Sequence, residues 1–267
     1  MDEREAGWRV AGVIAMATPQ VLALRLEAPL QSWGDNARWS IRGTRPEPTL
    51  SGVLGLLAAS SGWRLDDDGD RRVAELARRV RFGVRADREG VSLRDYHTIG
   101  GSHSGRETPW TGLLTAEGKI KRTTANTPPH TEVSERGYLC DACFLVMLEA
   151  DEATLEELEA AVRRPVWPPF FGRKACVPAA PIYPALPGVS SRVAGSLIDA
   201  IAAFPWLGRE SDKPRERLRV VVDEAAGATE GLRSLRHDVP QSFRHRRFSH
   251  RYVREFTVAT VRPRTEA

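Results

Sequence analysis

The chain has 267 residues, of which 41% are hydrophobic and 28% are charged, and its formal net charge is +4. This composition is typical of a globular protein with a sizeable core, and no apolar run approaches the roughly 18 residues of a membrane-spanning helix. Three cysteines in so long a chain argue against a disulfide framework and predict a cytoplasmic protein.

The excess of basic residues indicates an anionic partner only weakly, because a preference for Arg over Lys is also what a GC-rich genome produces. The placement of these residues says more than their number. Basic residues gather in 38–45, 119–122, 173–174 and 244–254, whereas acidic residues gather in 66–70 and 149–159. We therefore expect one basic face rather than a mixed surface.

Residues 1–15 lack the basic start and long apolar centre of a secretory signal, and we interpret them as an N-terminal extension. Residues 20–27 alternate between apolar and polar side chains, which predicts a strand. A helix follows over 53–58, with Thr49 or Ser51 as its N-cap. Because this helix is apolar almost all round, we expect it to pack against a sheet.

The next stretch is predicted to hold an acidic surface turn at 65–72, a short basic helix at 71–79 and a strand at 80–86. Residues 87–137 are rich in Gly, Thr, Pro, Ser and charge and show no sustained period. So long a loop within a compact domain is either functional or disordered. We therefore interpret 87–137 as an insertion.

Residues 137–150 give the strongest strand prediction of the chain. A helix capped by Asp151 follows and is stopped by Pro165, and a further strand is predicted near 177–183. The order strand, helix, strand, insertion, strand, helix, strand is that of the ferredoxin-like or RNA-recognition (RRM) fold. The sequence therefore predicts an α+β protein with a βαββαβ domain.

Five stretches carry a resemblance to a known family, in the same order along the chain. They are LRLEAPLQSWG at the first strand, RPEPTLSGVLGLLAA at the first helix, LRDYHT at 93–98, YLCDACF at 138–144 and PPFFGRKACVP at 168–178. Over roughly 20–184 the chain resembles the CasD-type, handle-binding RAMP subunits of the type I-E CRISPR Cascade complex. One position departs from the pattern, since Leu50 stands where members usually carry a basic residue.

The resemblance implies a non-catalytic RNA-binding subunit without a cofactor. Members of the family hold the 5′ handle of the CRISPR RNA (crRNA) and cap the backbone of the complex. They also adjoin the large subunit that recognises the PAM, so target DNA is reached only through the complex. In such effectors base pairing reads the sequence, while the protein reads backbone and shape.

The resemblance also suggests a division of the chain. A RAMP ferredoxin-like domain is expected at 16–185, and its insertion, at about 94–136, is expected to form a hairpin thumb that reaches the neighbouring backbone subunit. Beyond the reach of the resemblance, the residues of 186–267 themselves predict a smaller β-rich C-terminal region, with strands at 218–223 and 252–261.

The loop before the first helix is the first candidate RNA site. A helix start offers unpaired N–H groups and a partial positive charge to a phosphate, and Thr49 and Ser51 add hydroxyl groups there. Arg38, Arg42 and Arg45 can bind phosphates through paired hydrogen bonds. The alternative is that these arginines are plain solvated charges.

The turn that opens this loop is included in the predicted RNA site, with Gln31 and Ser32 as members. Trp33 in the same turn either stacks on a base or fills the core beside Gly34.

A second candidate RNA site is the stretch FFGRKAC. Gly172 allows the backbone to approach a phosphate, and Arg173 and Lys174 add positive charge. The alternative is a glycine turn whose charges face water.

The stretch LRDYHT adds Arg94, Tyr96 and His97 as candidate RNA contacts. A His beside a Tyr also suits metal-independent RNA cleavage, so an endoribonuclease that processes precursor crRNA is one alternative function. A structural role at the base of the thumb is the other interpretation of these residues, and no catalytic site is assigned. A generic RRM-like RNA-binding module is the second alternative function.

The cysteines and the basic tail indicate a function less specifically than the stretches above. Cys140 and Cys143 lie in a predicted strand, where residues three apart face opposite ways, and only Cys176 remains as a third thiol. We therefore expect core cysteines rather than a zinc site. The tail at 243–254 alternates charge with aromatic residues, which fits an RNA-facing strand, Arg bias or a subunit contact equally well.

Overall fold

The computed structural model describes residues 19–34, 37–38, 40–100, 113–115, 117–121, 131–209 and 211–263. The expected extension at 1–15 and most of 101–130 in the expected thumb lie outside these residues. The described strands are β1 Gln20–Gln31, β2 Ala37–Arg38, β3 Ile41–Arg42, β4 Arg81–Arg88, β5 Val91–Gly100, β6 Thr131–Ala150, β7 Arg192–Ala194, β8 Arg217–Asp223, β9 Leu232–Ser242 and β10 Arg247–Ala259. The described helices are α1 Leu50–Ser60, α2 Asp67–Arg79, α3 Glu152–Arg163 and α4 Leu197–Ala203.

The long strand β6 is the centre of a largely antiparallel sheet. Its second half pairs with β1 on one edge and β4 on the other, so that Val146 lies between Leu24 and Val84. Its first half is flanked by β3 and β5. Beyond β4 the sheet continues through β8 and β10 to β9. The C-terminal strands therefore extend the same sheet.

Both faces of the sheet are covered by helices. Helices α1, α2 and α3 bury one face, and the side chains of Val53, Leu54 and Leu57 in α1 have no exposed surface. Helix α4 covers the other face, where Leu197 and Ile201 are fully buried. The predicted apolar helix α1 and the predicted helix after Asp151 are both confirmed.

The predicted strand near 177–183 is wrong. This segment is irregular and follows β1 through only a few backbone hydrogen bonds, among them Arg25 N to Ile182 O at 2.5 Å and Ala179 N to Glu27 O at 2.8 Å. Three prolines, Pro178, Pro181 and Pro184, lack the N–H that a strand ladder needs. The chain is therefore a mixed α and β protein, and the strand that follows α3 and pairs antiparallel with β1 is the short β7, Arg192–Ala194, rather than 177–183.

The predicted acidic turn and short basic helix at 65–79 are also corrected, because they form the single helix α2. The carboxylate of Asp66 caps it by accepting a hydrogen bond from Gly69 N at 2.9 Å. Acidic residues in the first turn and arginines in the last complement the helix dipole.

Two long strands occur where the sequence shows no strand pattern. Strand β5 and the first residues of β6 pair antiparallel from Val91 opposite Cys140 to Gly100 opposite Thr131. They form the two sides of the insertion that was expected to be a hairpin thumb. Strand β9 is the other addition, and it pairs with β10 at the far edge of the sheet.

Candidate nucleic-acid interface

Four segments that are distant in sequence meet around a groove of about 640 Å³. They are the loop after β1, the start of α1, the turn at Gly172 and the β9–β10 hairpin. The lining residues are Ser32, Trp33, Gly34, Arg42, Gly43, Thr49, Ser51, Gly52, Gly172, Arg173, His237, Asp238, Phe243, Arg246 and Phe248. The groove therefore brings together the first and second candidate sites and adds part of the basic tail.

The turn residues Gln31 and Trp33 form the base of the groove rather than its binding surface. Trp33 is only 1% exposed and stacks on Phe171 with 5.9 Å between ring centroids. Gln31 is fully buried, and its amide nitrogen donates to Leu26 O and Ala142 O at 3.0 and 2.9 Å. Their burial does not support the prediction that these two side chains bind RNA, and the alternative in which Trp33 fills the core describes its position.

Ser32 is also enclosed. It is 3% exposed, its N–H donates to Phe171 O at 3.0 Å, and its hydroxyl donates to Gly137 O at 3.3 Å. Its contribution to the groove is therefore to join the loop to β6.

Gly172 is required by the close approach of two chain segments. Its φ is +88°, and a Cβ atom at this position would lie 1.7 Å from Ser32 O. No other residue type fits there without displacing the loop. The glycine turn therefore sets the width of the groove.

Arg173 has a structural role as well as an exposed surface. Its guanidinium donates to Gly137 O at 2.9 Å and to Arg42 O at 3.0 Å, and it lies 4.4 Å from the centre of the Tyr138 ring. It therefore fixes the loop of Arg42 against β6, while Lys174 beside it is exposed.

The start of α1 is already capped by two side chains, which occupy N–H groups that the predicted phosphate site would use. Thr49 is 5% exposed, and its hydroxyl accepts from Gly52 N at 3.2 Å. The carboxylate of Asp238 accepts from Leu50 N at 2.8 Å. Among the described residues, only Ser51 in the first turn keeps an N–H without a partner, so the anion site of this helix is reduced to Ser51.

Asp238 is held in place by a buried arginine. Arg251 makes a paired contact to Asp238 at 2.7 and 2.9 Å and a third contact to Asp223 at 2.5 Å. Burial raises the pKa of Asp223 above its ordinary value in spite of the Arg251 charge. The Asp238 carboxylate at the start of α1 is therefore neutralised by Arg251, and the β9–β10 hairpin is tied to α1.

The end of the same hairpin is anchored by α2. Asp70 accepts hydrogen bonds from the Ser242 hydroxyl and, at 2.9 and 3.2 Å, from the N–H groups of Phe243 and Arg244. Burial by itself would raise the pKa of Asp70, but these hydrogen bonds outweigh it and the pKa is lowered. The acidic cluster of α2 therefore positions one wall of the groove.

The predicted arginines differ in their availability. Arg42 is exposed and has no ion pair among the described residues. Arg45 faces Glu47 at 3.7 Å, in a partly buried cluster in which Arg219 and Arg236 also contact Glu47. The side chain of Arg38 lies outside the described residues.

Arg94, Tyr96 and His97 do not line the groove. They lie on β5, where the side chains of Arg94 and Tyr96 are 79% and 70% exposed. The His97 ring contacts Asp95 at 3.1 Å. Because neighbouring residues in a strand face opposite sides of the sheet, Tyr96 and His97 do not converge on one substrate atom.

Cys143 and Cys176 lie in the core as expected, whereas Cys140 is only partly buried, and all three thiols are free. Burial raises the pKa of Cys143 to about 12, so this thiol stays protonated. The described residues contain no group of three or more His, Cys, Asp or Glu side chains that suits a metal ion. No described helix is long and apolar enough to cross a membrane.

Sequence reasoning missed the roles of Asp70 and Asp238. Asp238 is 188 positions from the Leu50 amide that it caps, and nothing local indicates such a contact. The contribution of the hairpin was visible only as the alternation of charged and aromatic residues in 243–254.

Comparisons with known proteins identify the family of the chain. A family model described as CRISPR-associated protein (Cas_Cas5) matches residues 21–258. The CRISPR system Cascade subunit CasD of Escherichia coli (strain K12) is 37% identical over 176 residues, which are 61% of this chain and 69% of the relative. A chain of a solved CRISPR RNA-guided surveillance complex is 30% identical with a TM-score of 0.67, and 90% of each chain is covered. A solved structure of a Cas protein is 35% identical with a TM-score of 0.62, over 90% of this chain and 95% of that one. The resemblance found in the sequence is thus confirmed, and the chain belongs to the Cas5 family of CRISPR-associated proteins.

Proposed function

We propose that this chain is a non-catalytic RNA-binding subunit of a Cascade complex and that its groove holds the 5′ handle of the crRNA. The observation that carries the proposal is the convergence of exposed cations and exposed main chain at one groove in a Cas5-family protein. Arg42 and Arg246 line the groove and Lys174 lies beside it, all three exposed and without ion pairs among the described residues.

The main chain around the groove suits the recognition of a nucleic-acid backbone. Gly34, Gly43 and Gly172 line it and are exposed. Without a Cβ atom, a glycine lets its N–H group approach a phosphate oxygen closely. Contacts of this kind fix the position of the strand without reading bases, which suits a handle of constant sequence.

The geometry favours binding over cleavage. Metal-independent RNA cleavage needs a base near the 2′-OH and a second group that protonates the leaving oxygen, held in one arrangement. Tyr96 and His97 face opposite sides of β5, and neither lines the groove. Processing of precursor crRNA is therefore the weaker proposal.

The partners follow from the same proposal. The β5–β6 hairpin serves as the thumb that reaches the neighbouring backbone subunit, since Val91 and Tyr96 are each 70% exposed on it. The subunit caps the backbone and adjoins the large PAM-recognising subunit. Target DNA is contacted only through the assembled complex.

Purification of the tagged full chain from its native cells, followed by sequencing of the bound RNA, tests the proposal. We expect guide RNAs with one uniform 5′ end, crosslinked near Arg42 and Lys174 after ultraviolet irradiation. Bound RNA of random ends, or crosslinks confined to β5, would contradict it. In parallel, the purified chain should leave a repeat-hairpin RNA intact with or without Mg²⁺, and a specific cut abolished by His97→Ala would favour the nuclease instead.

A further inference from the structure

One face of the β9–β10 hairpin carries ring and guanidinium side chains that the core does not use. We call this face, formed by Arg233, Leu235, His237, His250 and Tyr252, the outer face of the hairpin. The registers Leu235 opposite Tyr252 and Arg233 opposite Arg254 place these side chains on one side of the sheet.

The side chains of the outer face are stacked in pairs. The rings of His237 and His250 lie 4.4 Å apart at an angle of 27°. The guanidinium of Arg233 lies 3.6 Å from the centre of the Tyr252 ring. His237 and His250 are exposed, and Tyr252 retains 48% of its surface. Flat groups are therefore held in fixed orientations at the surface.

The outer face is continuous with the groove. His237 lines the groove and also belongs to the outer face. Phe243 and Phe248, whose rings are 6.1 Å apart, also line the groove. An RNA strand that leaves the groove on this side therefore passes from the aromatic side chains of the groove to those of the outer face.

The charge of this region favours a polyanion over a protein partner. Arg246 and Arg247 at the hairpin turn are exposed and have no ion pair among the described residues. The Glu224 carboxylate, which contacts Arg233 of the outer face, is also bound by Arg254. The free charge at the hairpin is therefore positive.

We propose that the outer face is a stacking surface for single-stranded RNA, on which bases that emerge from the groove lie against the His237–His250 pair and the Arg233–Tyr252 pair. Aromatic rings and guanidinium planes are the groups on which unpaired bases stack. This inference rests on the proposed function, because it extends the path of the RNA that the groove holds.

The length of the bound RNA separates the two sites. Fluorescence anisotropy of the full chain would compare handle-sequence RNA of about 4 nucleotides, enough to fill the groove, with RNA of about 12 nucleotides. We expect Tyr252→Ala and His250→Ala each to weaken binding of the longer RNA by about fivefold or more and to leave binding of the shorter RNA unchanged. Tyr252→Phe keeps the ring and should restore the affinity.

Leu232→Ala is the matched control, since Leu232 is 72% exposed on the same strand but on the opposite face. It should leave both affinities unchanged. Equal affinity of wild type and Tyr252→Ala for the longer RNA would overturn the stacking surface, and so would a loss that appears only in binding to a partner protein. If the double variant Arg42→Ala with Lys174→Ala binds both the shorter and the longer RNA as tightly as wild type does, the groove proposal itself fails. The two failures are therefore distinguishable.

Discussion

Gly172 is the residue on which the shape of the groove depends most directly. Its positive φ and its contact with Ser32 O exclude a side chain, and it adjoins Arg173, which ties the loop of Arg42 to β6. The wall and the exposed cations of the groove thus depend on one turn.

Gly172→Ala tests this dependence. The new Cβ must displace Ser32 O, and the left-handed conformation adds strain, so we expect a loss of about 2–4 kcal/mol in the free energy of unfolding by urea. Gly188→Ala is the matched control, since Gly188 has a φ of +66° with nothing within 4 Å of the added atom. It should cost only about 1 kcal/mol. Equal losses in the two variants would show that the contact with Ser32 does not matter.

Sequence reasoning located the site residues better than it assigned their roles. Glycine and cations in FFGRKAC indicate a phosphate contact by residue type alone, and the structure places Gly172 and Arg173 at the groove. Trp33 and Thr49 have residue types that fit both RNA binding and packing. Packing is favoured only because the two residues are 1% and 5% exposed in the folded chain. Burial depends on segments far away in the chain, so the sequence did not reveal it.

At the scale of elements, the helices were more predictable than the strands. Thr49, Asp66 and Asp151 cap three helices through hydrogen bonds to residues three positions on, so the signal is local. In β9 the pattern is masked, because the inward positions include Asp238 and Ser242, whose polar groups are satisfied by distant partners. The segment 177–183 shows the converse, since a strand is predicted there but Pro178 and Pro181 lack the N–H groups that a strand ladder needs.

Asp70→Ala tests whether α2 positions the β9–β10 hairpin. Removal of the carboxylate leaves the Phe243 and Arg244 N–H groups without their acceptor, so we expect a loss of about 1–3 kcal/mol and faster amide hydrogen exchange at 242–246. Asp68→Ala is the matched control in the same helical turn, because Asp68 is exposed and forms an ion pair with Arg71 rather than with the hairpin. Equal exchange at the hairpin in both variants would contradict the anchoring role.

The stability difference between wild type and Asp70→Ala should depend on pH. The pKa of Asp70 is lowered in the folded chain from its ordinary value of 3.8, so the folded state prefers the charged carboxylate. The contribution of the Asp70 carboxylate to the free energy of unfolding is therefore complete above pH 3.8, and it is lost as the pH falls through the lowered pKa. The stability difference between wild type and Asp70→Ala should shrink in that acidic range, and a difference that grows there would contradict this assignment.

At the scale of the whole molecule, a buried ion pair joins the C-terminal region to the sheet. Arg85 and Asp87 in β4 have no exposed side-chain surface and pair at 2.6 Å. Arg85 also donates to Ile201 O and Phe204 O at 2.7 and 2.6 Å, and Asp87 accepts from Leu207 N at 2.7 Å. From these contacts and the β4–β8 pairing we predict that 186–267 unfolds together with the rest of the sheet.

Asp87→Ala tests this unity. It leaves a buried guanidinium without its counter-charge, and we expect a loss of about 3–5 kcal/mol in one cooperative urea transition. Arg81→Ala on the same strand, where the ion pair with Glu149 is partly exposed, should cost about 1 kcal/mol or less. Two separate transitions in Asp87→Ala would instead indicate that 186–267 unfolds as an independent domain.

The salt dependence of handle-RNA binding tests the central claim most directly. Each phosphate neutralised on a single strand contributes about 0.7 to the slope of log affinity against log salt concentration. If Arg42 and Lys174 each bind a phosphate, Arg42→Ala with Lys174→Ala should flatten the slope by about 1.4. The control Arg78→Ala with Arg164→Ala removes the same charge at exposed positions outside the groove and should leave the slope nearly unchanged. An unaltered slope in the groove variant, or an equal change in both variants, would contradict binding of the handle in this groove.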